Sequence, residues 1–181
     1  MALTVHCLQG DTAAFEQILE RYQRPIFNIA LRMVHDHEDA RDVAQNVFVK
    51  AYENLRSYDP RFKLFSWLYR MAINESVNLL KKRKSAIKAS MQMRLERQAQ
   101  PETVEQDGAG GKLGKALKML KPEDRIVVVL KHVSGCSYRD LSEILEIPVK
   151  RVKSRLFEAR RRLREILSSE RSSAYDRNTI P

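Results

Sequence analysis

Apolar residues recur every three or four positions along most of the chain, which is the helical period. Asp11 is placed to cap a helix whose apolar positions are Phe15, Ile18, Leu19, Tyr22, Ile26, Phe27, Ile29, Ala30, Met33 and Val34, with Pro25 as a kink or junction inside it. His35-Asp36-His37 interrupts the pattern. A second helix is expected from about Glu38 to Ser57, turning Ala40, Val43, Ala44, Val47, Phe48, Ala51, Tyr52 and Leu55 inward. Tyr58-Asp59-Pro60 has turn chemistry. A third helix, Phe62 to about Lys84, ends in the basic run Lys81-Lys82-Arg83-Lys84.

Beyond Ser85 the pattern weakens. Residues 86–100 could be a frayed helix, and 101–111, with three glycines and no periodicity, reads as a linker. Periodicity resumes at Leu113, Leu117 and Leu120. The run Val127-Val128-Val129 favours strand on propensity, yet Pro122-Glu123-Asp124 opens a helix with acids in its first turn. Helix is therefore expected over about 122–133. Ser137 and Asp140 approximate a capping box for a short helix with Leu141, Ile144 and Leu145 on its apolar face, and Pro148 suits the opening of the next. After Ser168 no core-forming pattern remains, and 169–181 is expected to be disordered.

The last helix holds the most pointed pattern. Advancing about 100° per residue, Val149, Val152, Leu156, Ala159 and Leu163 form one buried stripe. Lys150, Ser154, Phe157, Glu158 and Arg161 fall on the opposite side, and Arg160 lies near the edge of the buried stripe. Between Lys150 and Glu165 there are eight Lys or Arg against two Glu. An aromatic on the charged face suits a helix in a DNA major groove, where apolar groups meet thymine methyls and polar ones meet base edges. The plainer alternative is a basic amphipathic pair lying on a membrane surface or binding a calmodulin-like partner. The paired helices and tight turn favour helix-turn-helix.

Charge sharpens this picture. The 181-residue chain carries a net +10, and the excess is uneven: +3 over residues 1–84 against +8 over 112–168. A polyanionic partner is expected for the C-terminal part. Gly and Pro are sparse and no strand pattern stands out, so the fold class is all-α: two small helical domains joined by a flexible linker. The boundaries expected are 1–84, linker 85–111, a helix-turn-helix domain at 112–168, and the tail 169–181.

Cys7 and Cys136 are the only cysteines and lack metal-site spacing, so no disulfide framework is expected and a reducing cytoplasm is the natural setting. No apolar run approaches the ~20 residues needed to span a bilayer, and no signal-peptide pattern opens the chain; neither membrane insertion nor export is expected. His35-x-His37 and His132…Cys136 offer two ligands each, which is not a metal site. With no nucleophile motif and no phosphate-cradling glycine loop, no metal, cofactor or catalytic residue is expected. Bond formation would belong to a partner.

Four stretches in order, QGDTAAFEQILERYQRPIF, DARDVAQNVFVKAYENLRSY, FSWLYRMAINESVNLLKKRK and LKPEDRIVVVLKHVSGCSYRDLSEILEIPVKRVKSRLFEARRRL, resemble the extracytoplasmic-function sigma factors, the small two-domain initiation subunits of bacterial RNA polymerase. The resemblance covers nearly everything but the linker and tail. It implies that Asp39, Asp42, Gln45, Asn46 and Lys50 dock on the clamp helices of the polymerase's largest subunit, with the flap as a further core contact. It implies a promoter-melting and minus-ten-reading segment at the Tyr58–Phe65 loop and the helix after it. Tyr58, Arg61, Phe62, Lys63, Arg70, Asn74, Asn78, Lys81 and Lys82 are its candidates, while Trp67 is at core spacing. Planar groups stacking on extruded bases, with cations along the phosphates, are what reading an opened strand needs.

The resemblance also implies minus-thirty-five readers at Lys153, Ser154, Phe157 and Glu158, with Lys150, Arg151, Arg155 and Arg161 beside them. A cognate anti-sigma factor is implied as a further partner. The chain departs from the family's pattern in four places. Asn78 stands where many relatives carry Asp, Glu158 where some carry a base, Lys150-Arg151 where Gly-Thr is common, and Glu146 where the turn often has Gly. Two other functions remain open from sequence. A stand-alone repressor or activator explains 113–167 equally well but leaves 38–84 unexplained. An RNA-processing enzyme with basic helices lacks any acid, base or metal cluster.

Overall fold

The computed structural model describes residues 2–9, 11–95 and 111–176; residues 96–110, most of the expected linker, lie outside them. Among the described residues there is no strand. The first unit holds α1 (Ala2–Leu8), α2 (Thr12–Val34), α3 (His37–Glu53) and α4 (Leu64–Leu95). The second holds α5 (Gly111–Met119), α6 (Pro122–Val128) with a π-helical turn at Val129–Val133, α7 (Tyr138–Leu145) and α8 (Val149–Asp176).

Local chemistry sets most boundaries. Asp11 caps α2, its carboxylate accepting the Ala14 N–H at 3.2 Å, and Pro25 sits inside α2 without ending it. His35 ends α2 in the left-handed region at φ 59°, and Asp36 caps α3 by accepting the Asp39 N–H at 2.9 Å. The second helix stops at Glu53, not Ser57. The Asn54 amide turns back onto the Lys50 carbonyl at 2.8 Å, and a 3-10 turn, Leu55–Ser57, follows. Ser137 and Asp140 complete the capping box of α7. The valine run is helical as expected, because all of Ile126–Leu130 is buried on packing against α8 and α2, and burial overrides propensity.

Three segments are more helical than their sequence pattern suggests. Residues 2–8 form α1, ahead of the first helix that the apolar pattern predicts. α4 runs on to Leu95 and α8 to Asp176, past the ends expected at Lys84 and Ser168. Extending an existing helix adds a hydrogen bond for each residue fixed, so a polar sequence can continue one it would never nucleate.

The two units share one apolar core. Ile26, Ile29 and Met33 of α2, Val47 of α3 and Leu68 of α4 belong to the same buried cluster as Val127, Leu130, Leu141 and Leu156. Arg125 fastens the join. It is 5% exposed, and its guanidinium donates to the carbonyls of Leu117 at 2.8 Å, Lys118 at 2.8 Å, Leu120 at 3.0 Å and, across the units, Met33 at 2.5 Å. Carbonyls left over at the ends of α5 and α2 are what a buried fork of N–H donors can satisfy. Burial lowers its pKa only to about 10, so Arg125 is charged at neutral pH.

His35 lies at the same seam. Burial, then the Arg125, Lys118 and Arg32 cations, lower its pKa to about 4. Its unfolded value lies near 6.5, so between those values the unfolded chain binds the extra proton. The stability present above about pH 6.5 is therefore lost as pH falls towards 4. His35→Asn, which keeps a residue tolerant of positive φ, is expected to abolish this loss. It amounts to about 1 kcal/mol by pH 5, allowing for screening of a half-exposed ring. Thermal melts at pH 7 and pH 5 measure it; equal acid sensitivity in both proteins refutes the assignment.

Candidate nucleic-acid interface

The Tyr58–Lys63 loop is shaped by one carboxylate. Asp59 accepts the Arg61 N–H at 3.0 Å and the Arg61 Nη2 at 2.6 Å, while the Phe62 N–H meets the Asp59 carbonyl at 3.1 Å. The turn delays the third helix to Leu64 instead of Phe62 and holds the Phe62 ring 48% exposed. Tyr58 is half-buried: its ring lies 5.3 Å from Trp67 and its hydroxyl donates to the Phe62 carbonyl at 2.6 Å. Trp67, Phe65 and Tyr69 pack against the core. The aromatics thus divide into a core group, a brace (Tyr58) and one offered ring (Phe62).

Along α4, Arg70, Asn74, Asn78 and Lys81 follow at helical spacing and line one wall of a cleft of about 490 Å³. Its other wall is Pro122, Glu123, Ile126 and the Ile144–Glu146 end of α7. Lys82 is exposed and outside this cleft. Lys63 and Arg70 are occupied: Lys63 Nζ meets Asp140 at 2.8 Å and Arg70 Nη1 meets Glu146 at 2.5 Å.

The five candidates on α3 do not share one free face. Asp39 pairs with Arg83 of α4; burial, aided by Asp36 and Asp42, raises its carboxyl pKa against the opposing pull of Arg83. Lys50 pairs with Glu75 of α4 at 2.6 Å. Asp42, Gln45 and Asn46 are exposed. On the other edge of α3 lies a groove of about 910 Å³ shared with α2, walled by Phe15, Leu19, Phe27, Phe48, Val49 and Tyr52, with Gln45 and Arg41 among its polar residues. Leu19 and Tyr52, expected to face inward, are 37% and 57% exposed, and Val49 is 49% exposed. The apolar arc of α3 is wider than one core contact fills. Val49, the apolar residue of α3 left outside the predicted inward set, was the sequence signal for a second surface.

In α8, Val152, Leu156 and Ala159 are fully buried, as the periodicity requires, while Lys150, Arg151, Lys153 and Ser154 are exposed and Phe157 is 67% exposed. Arg155 is half-buried. Glu158 is also half-buried and accepts Arg161 at 2.8 Å; Arg161 reaches Glu165 at 3.4 Å as well. Arg160 turns back to the His132 ring at 3.2 Å. Five exposed side chains therefore lie on two turns of helix, four polar and one aromatic, with the Lys153 ammonium 5.7 Å from the centre of the Tyr138 ring.

Residues 18–86 match the model of sigma-70 region 2, and residues 111–163 match that of sigma-70 region 4. The RNA polymerase sigma-H factor of Pseudomonas aeruginosa is 31% identical over 84% of this chain and 85% of its own length. The ECF RNA polymerase sigma factor SigW of Bacillus subtilis is 32% identical, covering 88% of this chain and 91% of its own. The chain belongs to the ECF sigma factors.

Among solved structures, this sigma factor is similar to CnrH in complex with the cytosolic domain of CnrY, with a TM-score of 0.72 at 26% identity, covering 93% of this chain and 96% of that one. It is also similar to RpoE in complex with the anti-sigma factor NepR from Bartonella quintana, with a TM-score of 0.69 at 28% identity, covering 85% and 96%. Both likenesses extend over both units of the fold. No described helix is long and apolar enough to cross a membrane.

Proposed function

We propose that this sigma factor works as a non-catalytic specificity subunit in the cytoplasm, joining core RNA polymerase, reading a promoter at two elements and helping to open it. The outward face of α8 carries the reading: Lys150, Arg151, Lys153, Ser154 and Phe157 are exposed above a buried Val152–Leu156–Ala159 stripe. A cationic helix face with an aromatic fits the major groove of the upstream element, the cations on phosphate and Ser154 and Phe157 on base edges and methyls. Glu158, Arg161 and Arg155 stand beside them. As a carboxylate, Glu158 accepts from cytosine but not from guanine once Arg161 lets it go.

Phe62 is the base-stacking residue of the minus-ten segment, with Arg61, Lys63, Arg70, Asn74, Asn78, Lys81 and Lys82 along the strand, and Tyr58 holding the loop that presents it. The units proposed are 1–84 and 112–168. Asp42, Gln45 and Asn46 are the polar part of the polymerase contact, with Asp39 and Lys50 positioned by α4; the α2–α3 groove supplies apolar area beside Gln45. An anti-sigma factor is a further expected partner, because the two similar solved structures are described as such complexes or as a complex with a second protein's cytosolic domain.

The test is reconstitution with bacterial core polymerase. A stable complex and promoter-dependent initiation are expected, with weak, salt-sensitive DNA binding by the isolated chain. Tight sequence-specific duplex binding by the isolated chain, unchanged by polymerase, would establish the repressor reading instead.

A further inference from the structure

His132 lies in the π-helical turn that follows α6, where the Ser134 N–H reaches back five residues to the Val129 carbonyl at 3.1 Å. Such turns break the regular helical ladder and recur at functional sites. Here two neighbouring side chains leave the turn for different elements. Lys131 Nζ donates to the Cys136 carbonyl at 3.0 Å and lies 4.8 Å from the centre of the Tyr138 ring, at the start of α7. The His132 ring meets α8 instead, where Arg160 Nε lies 3.2 Å and Arg160 Nη2 3.1 Å from its Nε2.

Arginine brings only donors to such a contact. The geometry therefore needs a lone pair on His132 Nε2, which puts the proton on Nδ1 and leaves the ring neutral. Partial burial, then the Arg160 and Lys131 cations, lower the pKa of His132 and favour that form. One edge of the guanidinium, Nε with Nη2, is turned to the ring. The other edge, Nη1 with the outer hydrogen of Nη2, is a pair of parallel donors that matches two phosphate oxygens.

The place of Arg160 on α8 decides what that edge can meet. Lys153, Phe157 and Arg160 are all exposed, and their spacing of four and then three residues puts them on one row of the helix. Arg160 lies about 4.5 Å beyond Phe157 along the axis, away from the end that enters first. A recognition helix reads bases with its N-terminal residues, and the groove it enters is only about 12 Å wide. The guanidinium of Arg160 accordingly falls at the phosphate wall.

We propose that His132 is a positioning residue for the upstream DNA contact: from outside the helix-turn-helix, it holds the Arg160 guanidinium in place for a backbone phosphate. The inference rests on the reading of α8 as the upstream-element helix. A long side chain that is already held loses less freedom when it binds. Holding adds no charge, so it changes affinity without changing the number of counterions released. It also acts on every sequence alike, because a phosphate carries no base identity.

The experiment measures binding of reconstituted holoenzyme, across a salt series at neutral pH, to duplexes that the parent holoenzyme recovers from randomised DNA. The variants are His132→Leu, His132→Gln, Arg160→Ala and the His132→Leu/Arg160→Ala double. Arg160→Ala is expected to weaken binding and lower the salt slope by about one. His132→Leu should weaken binding roughly three- to tenfold with the slope unchanged. His132→Gln, whose amide oxygen accepts as the ring nitrogen does, should restore most of the loss. In the Arg160→Ala background, His132→Leu should cost nothing further. A loss that persists in that background makes His132 a structural residue of the turn and overturns the proposal, as does full affinity in His132→Leu; both leave the α8 reading intact. Parent affinity and slope in Arg160→Ala overturn it by removing the phosphate contact. A parent holoenzyme that recovers no preferred upstream sequence overturns the α8 reading, and the inference with it.

Discussion

Arg125→Met is expected to be the most destabilising single change in the second unit, by about 3–5 kcal/mol. Methionine fills the volume of the side chain but donates nothing. Four carbonyls, from Leu117, Lys118, Leu120 and Met33, then lose the guanidinium donor inside a nearly closed site, Leu117 keeping the Leu120 N–H at 3.2 Å. For a chain of this size that corresponds to a fall in melting temperature of roughly 6–20 °C. Arg125→Lys should recover only part of it, because one ammonium cannot reach carbonyls on two helix ends at once. Calorimetry of the three proteins decides the matter. A loss under about 1 kcal/mol for Arg125→Met would mean that water takes over the carbonyls and that the seam is held by its apolar contacts alone.

Phe62→Ala is expected to slow promoter opening without weakening polymerase association. Stacking on one extruded base is worth about 1–3 kcal/mol, a factor of about 5 to 150 in open complex. A pre-melted bubble should restore part of the activity, because the cost of unpairing is then already met. Tyr58→Phe should show a smaller defect of the same kind. It keeps the ring packed on Trp67 but loses the 2.6 Å bond that holds the Phe62 backbone. Permanganate reactivity of the minus-ten thymines reads both variants. Normal opening with Phe62→Ala would make that ring a bystander of the loop. Normal opening with Tyr58→Phe would remove the brace from the account and leave the stacking residue in place.

The contrast between these two aromatics shows where sequence reading ran out. Tyr58 and Phe62 look alike in a one-dimensional pattern: each is an aromatic in a polar loop next to cations. Their division of labour depends on Asp59 gripping Arg61, which turns the chain so that one ring meets Trp67 and the other meets solvent. The same limit applied on α3. Its periodicity placed Val43 and Val47 in the core correctly, but could not say that Asp39 and Lys50 would be claimed by Arg83 and Glu75 of α4. Nor could it say that Leu19 and Tyr52 would wall an open groove.

What the sequence by itself determined was local or periodic. The stripe Val152–Leu156–Ala159 and the opposed face of α8 follow from a 100° turn per residue. The caps at Asp11 and Ser137 follow from side chains that reach the first free N–H groups of a helix. Helical class follows from the same period. The tertiary structure decided what depends on two distant segments meeting. Arg125 could be buried because α2 and α5 bring their unsatisfied carbonyls to one point, and an isolated arginine in the sequence carries no mark of that. Glu146 stood out as an odd residue at a turn, yet its ion-pair partner, Arg70, lies 76 positions away in the sequence. Charge patterns give the sign of a surface; only the packing of α4 against α7 says which charges are free and which already have a partner.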